Sequence, residues 1–214
     1  YHYFFAFCML LFSISTAQAA DRYWVASNSS NWNNTANWST SSGGTGGASV
    51  PSTSDNVYFN NSRQGQCNIN QNVSVASIHI NQYSSTITQG NYSITTNNYY
   101  QNRGTWNAGS ANFDVNGPFT IAGGTFSAGS SGNLYISGNF AHTSGTFNHN
   151  NGTVHFDGNS ASYNVNGSTS FGKVVINKSN GNTLTFASND AMIVFETLTL
   201  TNGKADNGSF QTYK

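Results

Sequence analysis

Acid–base chemistry needs carboxylates, imidazoles or amines held close together, and this chain has few of them. Its acids are Asp21, Asp55, Asp114, Asp157, Asp190, Glu196 and Asp206, and its histidines beyond the first residues are His79, His142, His149 and His155. Glycoside hydrolysis asks for two carboxyl groups about 5–9.5 Å apart, which makes Asp114 and Asp157 the pair to test. Zinc sites ask for tightly spaced, mixed ligands, but His142, His149 and His155 stand 7 and 6 residues apart with no cysteine or glutamate close by. Asp157-Gly158-Asn159 could offer calcium a few oxygens, against the roughly 6–8 that calcium takes. No phosphate loop, serine-hydrolase elbow, zinc-protease or dinucleotide fingerprint occurs. The residues assign no catalytic group, no metal ligand and no cofactor, and the expectation is a protein without enzymatic activity.

Other groups can make contacts instead of reactions. Trp24, Trp32 and Trp38 are candidates for stacking on sugar rings if their faces are exposed. The competing and favoured role is a plug over an open core. Thr86/Thr88, Thr183/Thr185, Thr197/Thr199 and Thr199/Thr201 are pieces of the kind of threonine array that orders ice, yet they share no fixed spacing. Only Thr105, Thr125 and Thr146 recur regularly, and they read as a turn position ahead of a strand. Glycosylation sequons begin at Asn28, Asn37, Asn72, Asn151 and Asn166, among others, and matter only in a host that glycosylates exported proteins. Cys67, the one cysteine beyond the leader, reads as a small buried apolar residue.

What positions these groups is a repeat. Gly104-Thr105-Trp106, Gly124-Thr125-Phe126 and Gly145-Thr146-Phe147 recur at spacings of 20 and 21 residues. After each triplet comes an apolar–polar–apolar strand signal: Phe113-Asp114-Val115, Leu134-Tyr135-Ile136 and Val154-His155-Phe156. Gly117, Gly138 and Gly158 follow, then Phe119 and Phe140, with a looser register near Tyr163 and Val165. A unit of about 20 residues cannot close its own core and must stack on its neighbours. The expected fold is therefore all-β: a β-solenoid with coils of about 20 residues, most simply a right-handed parallel β-helix by the general rule for parallel crossovers. Three inward rows are expected: Trp106, Phe126 and Phe147; Phe113, Leu134 and Val154; Val115, Ile136 and Phe156. Asp114 and Asp157 then fall in different outward rows two coils apart, about 9.6 Å along the stack before any sideways offset. An antiparallel sandwich is the competing architecture.

Composition agrees with this reading. Of 214 residues only 7% are charged while 14% are aromatic, and the formal net charge is zero with pI ≈ 7.1. A neutral chain has no basic footprint for nucleic acid. Residues 1–20, YHYFFAFCMLLFSISTAQAA, have a short apolar core and an A-x-A site at Ala17–Ala19, the pattern of a signal peptide cleaved after Ala19. The apolar run is too short to span a membrane. The expected organisation is a signal peptide over 1–19, a tryptophan-rich cap over 20–66 and β-helical repeats over 67–214. The lack of an initiator Met and of a closing cap reads as a fragment of a longer parent chain.

The segments DRYWVASNSSNWNNTANWS, GGASVPSTSDNVYF, SVASIHI, TITQGNYSIT, GTFNHNNGTVHFDGNSASYNVNGSTSFGKVVIN and TLTLTNG together resemble secreted bacterial β-helical repeat surface proteins. These are adhesin-like, in the style of autotransporter passengers and filamentous haemagglutinins. The resemblance covers nearly all of the chain beyond the leader. It implies a secreted, extracellular or cell-surface location and glycans or a host or neighbour cell surface as partners. The expected function is adhesive or structural display of uncharged polar rows for weak multivalent contacts. The alternatives are a carbohydrate-active β-helix enzyme or glycan-binding module, and an ice-binding protein.

Overall fold

A computed structural model describes residues 19–159, 162–166, 168–186, 190–206 and 209–212. The expected signal peptide, with Cys8, lies outside these residues apart from Ala19. The chain is all-β and stacks a parallel sheet into a β-solenoid of about 7 turns with coils of ~21 residues. Among the described residues no helix is long and apolar enough to cross a membrane.

Each turn visits three strand positions, which make three faces. On the first face Asp21–Trp24, Asn56–Phe59 and the later parts of Val73–Ile80 and Ile94–Gln101 pair in parallel. The opening parts of Phe119–Ser127 and Phe140–Asn148 continue them. The second face runs Ser30–Asn31, Cys67–Asn68, Thr86–Thr88, Thr105–Asn107, and on into the later parts of the same two long strands. The third begins with the opening parts of Val73–Ile80 and Ile94–Gln101, then Phe113–Val115, Asn133–Ile136 and Thr153–Phe156.

Alternation along each strand sends every second residue inward, and parallel register stacks like positions into columns. Cys67, Ile87, Trp106, Phe126 and Phe147 form one column, and each is buried. Phe113, Leu134 and Val154 lie in register in a second column, and Val115, Ile136 and Phe156 in a third, all buried. Phe119, Phe140 and Tyr99 line the first face from inside. The Phe126 and Phe147 rings stack at 5.8 Å with 2° between their planes. Past Phe140 the register partner is Val165, and Tyr163 pairs with Leu184, so the looser third repeat still joins the ladder.

The glycine of each triplet has a specific task. Gly104, Gly124 and Gly145 have φ of 74°, 75° and 88°. A Cβ there would lie 2.5 Å from the carbonyl oxygens of Tyr83, Gly104 and Gly124 respectively. Only glycine accepts both the left-handed turn and the close approach of the coil before.

Parallel pairing starts at Asp21, so the boundary expected at residue 66 falls inside a coil, between Asn56–Phe59 and Cys67–Asn68. The capping device is smaller. Trp38–Ser39 pairs antiparallel with Asp21–Trp24 and covers that edge. Trp24, Trp32 and Trp38 are fully buried around Phe59, with ring centroids of Trp32 and Trp38 4.7 Å apart. Trp38 Nε1 donates to Trp32 O at 2.7 Å and Trp24 Nε1 to Gly65 O at 2.8 Å. The sugar-stacking role considered for these three residues is thereby corrected. Their faces meet one another and not solvent, because an exposed sheet edge over an open core needs large apolar cover.

Candidate functional site

The outward positions of the same strands form surface ladders, and these hold the groups that can meet a partner. On the first face Tyr23, Tyr58, His79 and Tyr100 are register partners in successive coils. Tyr23 and Tyr58 stack at 4.9 Å and 17°, and Tyr58 and His79 at 5.0 Å and 13°. Two residues earlier runs a polar row, Asp21, Asn56, Ser77 and Asn98. Ser77 Oγ donates to Asn56 Oδ1 at 2.7 Å, and Asn56 Nδ2 donates to Asp21 Oδ1 at 3.2 Å. Partial burial raises the Tyr23 and Tyr58 phenols, and the Asp21 charge raises them further. Burial lowers the pKa of His79 against the opposing pull of Asp21, which favours the neutral imidazole.

The second face carries Thr86, Thr105, Thr125 and Thr146 in register, with Thr88, Asn107, Ser127 and Asn148 beside them. These threonines lie within strands, not in turns ahead of them, and the row reaches one coil further than its three recurring members suggest. The second row turns to Asn and Ser after Thr88, so the paired-threonine pattern occurs in one coil only of these four.

The third face carries the acids. Asp114, Tyr135 and His155 form one row, and Tyr135 stacks on His155 at 4.4 Å and 22°. Asp157 sits two residues beyond His155 and accepts a hydrogen bond from Ser137 Oγ at 2.8 Å. Asp114 and Asp157 are thus two coils and one pleat repeat apart, roughly 12 Å between Cα atoms by strand geometry. Burial raises the Asp114 carboxyl and the Asp157 charge adds to the rise, while burial lowers His155 against the opposing Asp157 charge. Lys178 Nζ donates to Asp157 O at 2.5 Å, and burial brings its pKa down to about 8.

Among the described residues no group of three or more His, Cys, Asp or Glu side chains is placed to hold a metal ion. His142 is engaged with Thr169 Oγ1 at 2.9 Å, and His149 stacks on Phe195 at 5.4 Å. Cys67 is buried, which pushes its thiol up. Of the sequons, Asn37 is buried and donates to Ser30 Oγ and Asn31 O, whereas Asn28, Asn72 and Asn151 are exposed. Asn166 has no described side chain.

The first-face ladder was present in the sequence as Tyr58, His79 and Tyr100, 21 residues apart, each between inward-facing neighbours. Tyr23 was hidden, because it stands 35 positions before Tyr58, with cap and loop between them. A second feature had no sequence signal. Phe195 and Glu196 together oppose the single residue Gly172, a β-bulge that leaves Phe195 45% exposed and sets Glu196 against Lys173 at 3.2 Å.

No family model, no curated protein and no solved structure matches this chain.

Proposed function

We propose that this is a non-enzymatic, secreted or cell-surface β-helix protein with an adhesin-like role. Its outward rows would make many weak contacts with glycans or with a neighbouring cell surface. The observation that supports this is the register of polar groups on three faces, each row running through three or four successive coils. Contacts at fixed intervals on a stiff rod add up by avidity even when each is feeble. Because few of the groups are charged, binding should depend little on ionic strength. The test is adhesion of the chain, immobilised on beads, to cells and to a broad panel of glycans across a salt series. Binding that persists from low salt to well above physiological ionic strength fits the reading, and binding lost at modest salt refutes the uncharged-contact mechanism.

A second reading is a carbohydrate-active enzyme. It draws on the raised carboxyl of Asp114 beside Tyr135 and within the field of Asp157. Release of reducing ends from polysaccharides, abolished by Asp114→Asn or Asp157→Asn, would establish it. The four-coil threonine row gives ice binding some support, which thermal hysteresis checks directly.

A further inference from the structure

We propose that the outward surface of the first face is a track for an extended, uncharged polysaccharide of equatorially linked pyranoses, the cellulose and chitin pattern, lying along the solenoid axis with one sugar per coil. The proposal rests on the glycan-contact reading above and adds the linkage and the direction of the chain.

Three observations carry it. The first is period. Tyr23, Tyr58, His79 and Tyr100 occupy register positions on successive coils, so their tips repeat at the strand spacing of about 4.8 Å. An equatorially linked chain is a flat ribbon that advances about one such spacing per sugar. An axially linked chain, the amylose pattern, coils away from a straight track within a few sugars.

The second is width. The polar row of Asp21, Asn56, Ser77 and Asn98 runs parallel to the aromatic row, one pleat repeat or roughly 7 Å to the side. Ser77 is itself buried and holds Asn56 in place through its hydroxyl. Asp21 is exposed, and Asn56 and Asn98 are half-exposed. A pyranose ring carries hydroxyls on two opposite edges, and two rows at this separation can meet both. The stacked rings of Tyr23, Tyr58 and His79 face one another along the axis. They therefore present edges and hydroxyls to solvent, and recognition would be by hydrogen bonds and not by ring-face stacking.

The third is charge. Across both rows Asp21 is the one formally charged group at neutral pH. Arg22 lies beside Asp21, its guanidinium on Asp21 O and Ser49 Oγ, so both charges sit at one end. An uncharged ribbon leaves the rungs of Tyr58, His79 and Tyr100 without an unpaired charge to bury, whereas an acidic polymer would find no cation in those three rungs.

The test is calorimetry of the full chain with equatorially linked glucose and N-acetylglucosamine oligosaccharides, from disaccharide to hexasaccharide, beside axially linked glucose oligosaccharides of the same lengths. Affinity should climb with each added sugar as far as the tetrasaccharide, one sugar for each rung from Tyr23 to Tyr100, and then level off. The axially linked series should stay weak and flat. Tyr58→Phe keeps the ring ladder and removes one mid-track hydroxyl; it should weaken tetrasaccharide binding about tenfold, or about 1.4 kcal/mol. Tyr92→Ala, at an exposed tyrosine in the loop ahead of Ile94–Gln101 and outside all three outward rows, should leave binding unchanged. Equal binding of both linkages, absence of length dependence, or an equal loss in Tyr92→Ala would overturn the track. If the chain adheres to cells or to other glycans while the equatorially linked series fails, the track falls and the broader adhesive reading stands. If no glycan and no cell surface is bound, both fall.

Discussion

Phe126→Ala tests the packing that everything on the surface depends on. The Phe126 ring is fully buried, lies 5.8 Å from Phe147, and also contacts Phe119 at 5.0 Å, Tyr99 at 5.6 Å and Phe113 at 5.9 Å. Its neighbours in the column cannot slide into the gap, because backbone pairing fixes the rise between coils at about 4.8 Å. The cavity therefore stays open, and the cost should fall at the upper end of the usual range for a buried phenylalanine, about 4–5 kcal/mol. That is a large share of the roughly 5–15 kcal/mol that holds a domain together. In a stack of coils the damage is local first. Hydrogen exchange of Thr105–Asn107 and of the Thr146–Asn148 amides should accelerate by roughly a thousandfold, the factor equivalent to about 4 kcal/mol. Urea unfolding followed by circular dichroism gives the total loss. Tyr135→Ala, an outward residue of similar size, should cost about 1 kcal/mol or less. If Phe126→Ala costs no more than Tyr135→Ala, the aromatic column is not what stabilises the solenoid and the reasoning fails.

Other outcomes follow from the same geometry. Gly124→Ala should destabilise beyond the roughly 1–3 kcal/mol of a strained positive φ, since its Cβ would meet the Gly104 oxygen at 2.5 Å; Gly181→Ala, with φ of 71° and open space around it, should show the backbone cost alone. Melting curves of the two variants separate crowding from conformation. Trp38→Phe gives up a hydrogen bond to Trp32 O, while the buried indole N–H of Trp106 has no acceptor among the described residues. Trp38→Phe should therefore exceed Trp106→Phe by about 1 kcal/mol in denaturant titration. Burial lowers the pKa of His79 and His155 below their unfolded value of 6.5, so the unfolded chain binds more protons and stability falls as pH drops through that value. The thermal midpoint should decline from pH 7 to pH 5, and replacing both histidines by glutamine should flatten the decline; an unchanged slope would mean that neither imidazole is desolvated.

Much of the fold was legible because a solenoid is nearly one-dimensional. The Gly-Thr-aromatic triplets report the coil period, and alternation within Phe113–Val115 or Asn133–Ile136 reports which side chains point inward. The site was harder to read. Val57-Tyr58-Phe59 and Ile78-His79-Ile80 have the pattern of any half-buried strand, and only their spacing of 21 residues, one coil, points to Tyr58 lying on His79. The inward polar residues also escaped reading. Gln101 Nε2 donates to Gly104 O and Thr125 O while Tyr99 Oη donates to its Oε1, so an amide is buried across neighbouring coils. Tyr99 and Gly104 are near it in the chain, but Thr125 comes from the next turn of the stack, which a local pattern cannot name.

By itself the sequence determined the strand alternation, the coil length and the glycine corners, because each is set within about 20 residues by side-chain size, backbone freedom and period. Tertiary structure alone decided that Trp38–Ser39 folds back antiparallel on Asp21–Trp24, that Phe195 and Glu196 share a bulge, and that Tyr23 joins a ladder with Tyr58 across a long insertion. Those outcomes depend on which strands become neighbours. Pairing between coils is fixed by hydrogen bonds whose partners no spacing along the chain records once a loop of arbitrary length intervenes.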